Sequence, residues 1–283
     1  MPTRAESLAL LTGPGGPFEI GPAEIGGQTL RAFTKVPASL RDVWVASAAH
    51  GDATFLVYQD ERVSFAEAHA RVRRLAAHLS AAGVGKGARV AIAMRNYPEW
   101  VLSFWAVQSL GAIVVSMNAW WTAAETEYGL VDSGAIALIA DGERYDRVRG
   151  GLLDRLGMAA VVVVRGGAVD AGHTAWADIL ALDDPGVVPV VEIAADDDAT
   201  ILYTSGTTGA PKGAVGSNRN HITNIFNTLL NGVLMSVMSG PPADDAPPDL
   251  FTAFQQQLGL KLESTKAPVD VLVVDRVEKP SAN

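Results

Sequence analysis

Short apolar runs alternate with amphipathic stretches along most of the chain. The apolar runs predict strands buried in a sheet, because a strand that is covered on both faces has no polar side. These predicted strands lie at residues 55–58, 90–94, 113–115, 136–140, 159–164, 200–203 and 213–215. The intervening stretches carry apolar residues three or four positions apart, which is typical of helices. They predict helices at residues 64–83, 98–111, 122–132, 145–156 and 220–237.

Two of the predicted helices begin with a capping signature. Ser64 with Glu67, and Thr122 with Glu125, can each satisfy free backbone N–H groups at a helix start. Gly83 is expected to end the first of these helices, because glycine tolerates left-handed dihedral angles. The alternation of apolar strands with helices predicts an α/β fold, with a mostly parallel sheet flanked by helices.

The two ends of the chain do not follow this alternation. Residues 1–35 are rich in glycine and proline and are predicted to form an irregular N-terminal arm. Residues 241–249 read as a Pro-rich linker, and residues 250–283 as a tail of one helix and one strand. The length of 283 residues, at about 150 residues per domain, indicates roughly two domains.

We find no pattern of a signal peptide or a membrane span in the sequence. The apolar run at residues 8–11 is too short for the core of a signal peptide. The longer apolar stretch at residues 222–238 is interrupted by Asn224, Asn227 and Asn231, and it falls short of a span. We therefore expect a soluble, cytoplasmic protein.

The amino-acid composition argues against several kinds of functional site. The chain has 22 Lys and Arg against 31 Asp and Glu, a net charge of −9, so a broad nucleic-acid surface is not expected. It has no cysteine, which excludes disulfides, thiolate metal sites and a cysteine nucleophile. Its five histidines form no His-x-x-x-His pair, so a helical zinc site is not indicated.

The segment at residues 203–213 has the composition of a polyphosphate clamp between two strands. Glycines at 206, 209 and 213 let backbone N–H groups approach an anion, hydroxyl groups add donors, and Lys212 adds a mobile charge. It is not a Walker A loop, because the second glycine of that motif would fall on Pro211. The sequence also contains no Gly-x-Gly-x-x-Gly and no Gly-x-Ser-x-Gly motif. The candidate phosphate ligands are Thr204, Ser205, Gly206, Thr207, Thr208, Gly209 and Lys212.

Within this segment, the run Thr-Ser-Gly-Thr-Thr-Gly-x-Pro-Lys-Gly resembles the phosphate-binding signature of the adenylate-forming superfamily. That superfamily comprises acyl-CoA synthetases, adenylation domains of peptide synthetases, and luciferases. Earlier segments resemble the same family at residues 63–67, 87–92, 96–99 and 110–118. The resemblance implies the fold of the family's N-terminal domain, and it lies closest to ligases of fatty or other carboxylic acids with CoA.

The resemblance also implies a two-step reaction. A carboxylate attacks the α-phosphate of ATP to give an acyl-adenylate and pyrophosphate, and the thiol of CoA then takes the acyl group. ATP, Mg²⁺ and CoA are the implied cofactors, and a small carboxylic acid is the implied partner. By this likeness the loop from Thr204 to Gly209 binds phosphate oxygens, and Lys212 is the catalytic residue that offsets their charge. No general base is needed, because the nucleophile is already an anion.

The resemblance covers residues 36–240, which we interpret as part of an AMP-binding ligase N-terminal domain. We do not find the family's later signatures, among them Tyr-Gly-x-Thr-Glu, an aspartate for the ribose and a C-terminal lysine. The tail at residues 250–283 resembles instead the C-terminal end of an uncharacterised soil-bacterial family. We therefore expect a truncated or chimeric chain with weak or no turnover. Two alternatives stay open: a non-catalytic nucleotide-binding or interaction fragment, and a sheet protein whose turn binds nothing.

The remaining features have simpler structural interpretations. Asn218 lies where many family members carry a histidine, and it cannot carry a proton. The acidic run at residues 196–198 and Lys86 are expected to be solvated. The aromatic residues expected to face the core of the protein are Trp100, Phe104 and Trp105. The histidines expected on surfaces or helices are His50, His69, His78, His173 and His221.

Overall fold

The computed structural model describes residues 3–204 and 211–239. These residues form two compact units, one with residues 3–36 and 223–239 and the other with residues 37–222. The predicted linker at 241–249 and tail at 250–283 lie outside the described residues. Within the described ranges, we find no helix with the length and apolarity that crossing a bilayer requires.

The first unit contains regular structure where an irregular arm was expected. Helix α1 (Arg4–Thr12) is followed by the antiparallel strands β1 (Ile20–Ile25) and β2 (Gln28–Phe33). The expectation of an irregular arm is wrong, because these glycine and polar residues are turn and cap signals. A capping box with Thr3 starts the helix, and Gly26 and Gly27, at φ 58° and 76°, make the hairpin turn.

The second unit alternates strands and helices in the predicted manner. Its strands are β3 (Thr54–Tyr58), β4 (Glu61–Ser64), β5 (Arg89–Ala93), β6 (Ile113–Ser116), β7 (Ala137–Asp141), β8 (Ala160–Val164), β9 (Thr174–Ala175), β10 (Asp198–Thr204) and β11 (Lys212–Ser217). Its helices are α2 (Leu40–Ser47), α3 (Phe65–Ala81), α4 (Pro98–Ser109), α5 (Ala123–Ser133), α6 (Gly142–Val148), α7 (Leu152–Leu156), α8 (Trp176–Ala181) and the start of α9 (Asn218–Ser239). A single 3₁₀ turn, Ala48–His50, follows α2.

The central sheet has seven strands in the order β11-β10-β6-β5-β7-β8-β9. All neighbouring strands run parallel except β10 and β11, which run antiparallel at one edge. The prediction of a mostly parallel sheet flanked by helices is therefore confirmed. The strands β3 and β4 pair with each other as a separate hairpin outside this sheet.

Alternate residues of each central strand face opposite hydrophobic cores. On β5, Val90 and Ile92 pack in the core that receives Val72 and Leu75 of α3. Ala91 and Ala93 of the same strand pack in the other core. Because side chains alternate along a strand, apolar residues at every position indicate a sheet that is buried on both faces. The second core receives Leu130 from α5, Tyr145 from α6 and Leu153 from α7.

The predicted helix at residues 145–156 is two helices. Asp141 caps α6 by accepting a hydrogen bond from the amide of Arg144 at 2.9 Å, so the helix starts before residue 145. Gly150 and Gly151 then adopt φ values of 82° and 106°, which an α-helix cannot contain, and α7 begins after them. The capping boxes predicted at Ser64 and Thr122 are confirmed.

The aromatic residues of α4 pack on the core, which confirms their predicted role. Trp105 stacks on Trp44 of α2 with ring centroids 5.1 Å apart, and Trp44 stacks in turn on His69 of α3 at 4.0 Å. Trp100 and Phe104 stack on each other at 5.7 Å. All three α4 side chains are half-buried against the first core. This cluster holds α2, α3 and α4 together on one face of the sheet.

Candidate functional site

The two strands that flank the predicted phosphate loop lie side by side. Strand β10 pairs antiparallel with β11, and Thr204 is opposite Lys212 in that pairing. The Thr204 hydroxyl lies 3.5 Å from the carbonyl oxygen of Lys212. Both side chains are exposed to solvent. The sequence prediction that two strands fix the ends of the loop is therefore confirmed, and the structure brings two of the predicted site residues together.

The other predicted ligands lie at residues 205–210, outside the described part of the chain. These residues are Ser205, Gly206, Thr207, Thr208 and Gly209. Their contact with a phosphate stays a prediction, as does the catalytic role of Lys212.

Strand β10 ends at the edge of the sheet formed by the carboxyl ends of the parallel strands. It pairs in parallel with β6, with Thr200 opposite Val114 and Leu202 opposite Ser116. Its last residue, Thr204, therefore lies at the edge of the sheet where the parallel strands end. In open α/β sheets, ligands bind in the crevice outside the carboxyl ends of the strands. The antiparallel pair of β10 and β11, called the hairpin below, thus lies where this class of fold binds ligands.

Helix α5 bonds to Tyr203 of β10 and to Pro211, the residue before β11. The hydroxyl of Tyr203 donates a 2.6 Å hydrogen bond to a carboxylate oxygen of Asp132. The hydroxyl of Tyr128 donates a 3.2 Å hydrogen bond to the carbonyl oxygen of Pro211. Burial, followed by the Asp132 carboxylate, raises the pKa of Tyr203, so its hydroxyl is a donor at neutral pH. The sequence interpretation missed these contacts, since nothing local indicates that α5 lies beside the hairpin.

Gly213 has a packing role that differs from the one expected. The sequence interpretation assigned it an amide turned towards an anion. In the structure it lies in the ladder opposite Tyr203, and a Cβ atom here would lie 2.8 Å from Cγ2 of Ile201. Such a contact is too close for real Cβ atoms, so the absence of a side chain lets β11 pack against β10.

Two residues after β11, Asn218 and His221, are buried or half-buried and make hydrogen bonds. Asn218 is only 3% exposed, accepts a bond from the amide of Leu40 at 2.9 Å, and donates one to the carbonyl oxygen of Asp197 at 3.2 Å. His221 was expected on a helix surface, which is wrong, since it is half-buried and bonds the Thr200 hydroxyl at 2.8 Å. Burial lowers its pKa. Both side chains therefore tie α9 to the loop before β10 and to β10 itself.

In the acidic run at residues 196–198, Asp196 and Asp198 are exposed as expected, and Asp196 and Asp197 also make ion pairs. Asp196 binds the guanidinium of Arg219 through two contacts of 2.6 and 2.9 Å. Asp197 pairs with Lys86 at 2.7 Å, and Lys86 is exposed in a turn, so the prediction of a solvated turn charge is confirmed. Each cation lowers the pKa of its aspartate. Across residues 3–204 and 211–239, no group of three or more His, Asp and Glu residues is placed to hold a metal ion.

Two family models match the sequence. The model described as AMP-binding enzyme matches residues 43–243, which includes the whole candidate site. The model of a protein family of unknown function, DUF3738, matches residues 221–277, so the two matches overlap at residues 221–243. The likeness of the 250–283 tail to a soil-bacterial family stays a prediction.

Curated relatives are acid–CoA ligases. The chain is 34% identical over 168 residues to a 2-succinylbenzoate–CoA ligase of Geobacillus, covering 59% of this chain and 30% of that protein. It is 35% identical over 184 residues to a feruloyl-CoA synthase of Amycolatopsis, covering 65% of this chain and 34% of the relative. The chain thus spans about a third of the length of these relatives.

The fold also resembles that of a solved CoA ligase. The structure superposes with a TM-score of 0.59 on an anthranilate CoA ligase solved in complex with anthranoyl-AMP. The two sequences are 25% identical, and the match covers 66% of this chain and 36% of the other.

Proposed function

Because the chain belongs to the AMP-binding enzyme family, we propose that it supplies the ATP phosphate-binding part of an enzyme that joins a carboxylic acid to CoA. In the first step, a carboxylate oxygen bonds to the α-phosphorus of ATP and pyrophosphate leaves. In the second step, the sulfur of CoA bonds to the acyl carbon and AMP leaves. The names of the relatives, which include ligases of succinylbenzoate and feruloyl groups, support this reaction class.

The part of this chain is electrostatic. The hydroxyl groups and amides at residues 204–209 bind the β- and γ-phosphates, and Lys212 offsets the charge that develops on the departing pyrophosphate. The placement of Thr204 beside Lys212 supports this role, because one phosphate group can contact both strands. Both side chains are exposed at the edge of the sheet where ligands bind. This placement is the observation that carries the proposal.

The identity of the acid stays open, because the relatives act on acids as different as succinylbenzoate and a feruloyl group. Magnesium has no candidate ligand cluster among the described residues, so we assign no step to it. CoA is proposed as the acyl acceptor from the family, and a cytoplasmic location stays a prediction.

An ATP–pyrophosphate exchange assay tests the proposal. Exchange that depends on an added carboxylic acid, measured over a panel of aryl and fatty acids, would support adenylation by this chain. We expect Lys212→Ala to abolish that exchange. ATP binding without exchange would favour the alternative of a non-catalytic nucleotide-binding fragment. No ATP-dependent thermal shift at millimolar ATP would refute both and leave a turn that binds nothing.

A further inference from the structure

One face of helix α5 bonds to strand β10 and to Pro211, the residue before β11. Tyr128 and Asp132 are four residues apart, so their side chains lie one above the other on the helix. Asp132 accepts its bond from Tyr203, the residue just before Thr204. Tyr128 donates its bond to Pro211, the residue just before Lys212. Each contact therefore lies one residue before a described site residue, Thr204 or Lys212.

The contact from Asp132 is the stronger of the two. A hydrogen bond from a neutral donor to a carboxylate is shorter and stronger than a bond between neutral groups, and 2.6 Å is the usual length for a hydroxyl bonded to a carboxylate. The ring of Tyr203 is also fixed on its other side, because it packs edge to face on Trp121 at 5.3 Å. Tyr203 is consequently held by both its ring and its hydroxyl.

Helix α5 is itself firmly placed. The Thr122 capping box fixes its start, and Gly134, at φ 62°, ends it in the left-handed conformation. Gly129 allows the helix to approach the preceding loop closely, since a Cβ atom there would lie 2.6 Å from the Trp121 ring. A helix fixed in this way can restrain the strands that are bonded to it.

We propose that Tyr128 and Asp132 are positioning residues for the phosphate hairpin. Thr204 and Lys212 lie opposite each other in the ladder, and both side chains are exposed. Bonding Tyr203 and Pro211 to one helix restrains the backbone next to both residues before the nucleotide arrives. A preorganised site binds more tightly, because less conformational freedom is lost on binding. This inference rests on the proposed function.

The test compares ATP affinity with thermal stability in matched variants of the full chain. Asp132→Ala removes the acceptor, Tyr128→Phe removes the donor, and Asp132→Asn keeps an acceptor oxygen without the charge. Tyr145→Phe is the control, because it also removes a hydrogen-bonded hydroxyl, but from α6. That hydroxyl accepts a 2.9 Å bond from the amide of Asp170 and shares a 2.8 Å bond with Nδ1 of His173. Titration calorimetry at 15 °C gives the affinity, and hydrogen exchange of the amides that bond β11 to β10 reports opening of the ladder.

We expect ATP affinity to fall about three- to tenfold in Asp132→Ala and in Tyr128→Phe, the range that loss of one hydrogen bond produces. The amides that bond β11 to β10 should exchange faster in the same variants. Asp132→Asn should retain most of the affinity, and Tyr145→Phe all of it. Variants with a lower melting temperature but unchanged ATP affinity and exchange would overturn the inference.

The failure of this inference differs from the failure of the proposed function. A wild-type chain that binds no ATP refutes the proposed function, and the inference falls with it. Wild-type binding that Lys212→Ala weakens but the α5 variants leave unchanged overturns the inference alone.

Discussion

His69 makes the stability of the second unit depend on pH in a predictable direction. Its ring is 8% exposed, stacks on Trp44 with ring centroids 4.0 Å apart, and lies 3.1 Å from the Ser47 hydroxyl. Burial, and secondarily the charge of Arg73, lowers the pKa of His69 from 6.5 to about 4. The folded protein therefore keeps this imidazole neutral at a pH where the unfolded chain already binds a proton.

The magnitude follows from these two pKa values. Because the unfolded chain takes up the proton first, the free energy of unfolding decreases as the pH falls from about 7 towards 4. Between pH 8 and pH 5 the loss amounts to about 2 kcal/mol from His69 alone. Burial also lowers the pKa of His78 and of His221, so these residues add losses of the same sign. Asp184, whose pKa is lowered to about 2, titrates below this range.

Urea unfolding of the wild type and of His69→Gln at pH 8 and pH 5, followed by tryptophan fluorescence, measures this contribution. Both proteins should lose stability at pH 5, but the wild type should lose about 2 kcal/mol more. The variant is expected to be less stable at pH 8, because it loses the stacking on Trp44, and this deficit should shrink or reverse at pH 5. Equal losses in the two proteins would refute the assignment of a buried, neutral His69.

Two glycine substitutions test close packing by thermal unfolding. Gly129→Ala places a Cβ atom 2.6 Å from the Trp121 ring. Overpacking exceeds the gain in helix propensity, so the melting temperature should fall by about 2–4 °C, a net loss of about 1 kcal/mol. Gly142→Ala should cost more, about 2 kcal/mol, because its Cβ would meet backbone, 2.6 Å from Cα of Gly166. The control Gly85→Ala has open space around its Cβ and should change little. Equal melting temperatures in all three variants would contradict the packing described.

Much of the central sheet could be predicted because its strands are apolar at successive positions, as at residues 90–93 and 137–140. That pattern is local, and it requires burial on both faces whatever the strand order. The N-terminal hairpin was missed because Gly26 and Gly27 were interpreted by composition rather than as a two-residue turn. The break between α6 and α7 was missed for a similar reason, since adjacent glycines were interpreted as part of a helix.

One part of the candidate site could be predicted from the sequence and another part could not. The motif at residues 203–213 could be interpreted directly, because the residue types that cradle phosphate follow one another in sequence. The support from α5 could not, because Asp132 meets Tyr203 only through the order of strands and helices in the folded sheet. The buried bond between Thr200 and His221 likewise depends on how α9 returns to β10. The four-residue spacing of Tyr128 and Asp132 indicates that they share one helix face, but it does not indicate which segment that face contacts.

We propose that the hairpin formed by β10 and β11 binds the phosphates of ATP. Titration calorimetry with ATP on the wild type, on Lys212→Ala and on Lys35→Ala measures this binding. Lys35 pairs with Glu19 in the first unit and is 53% exposed, so its replacement changes the net charge equally and leaves the residues of the hairpin unchanged. We expect Lys212→Ala to weaken ATP binding about tenfold or more, and Lys35→Ala to bind ATP as the wild type does. Equal affinity in all three proteins, or no binding of ATP at millimolar concentration, would contradict the proposal.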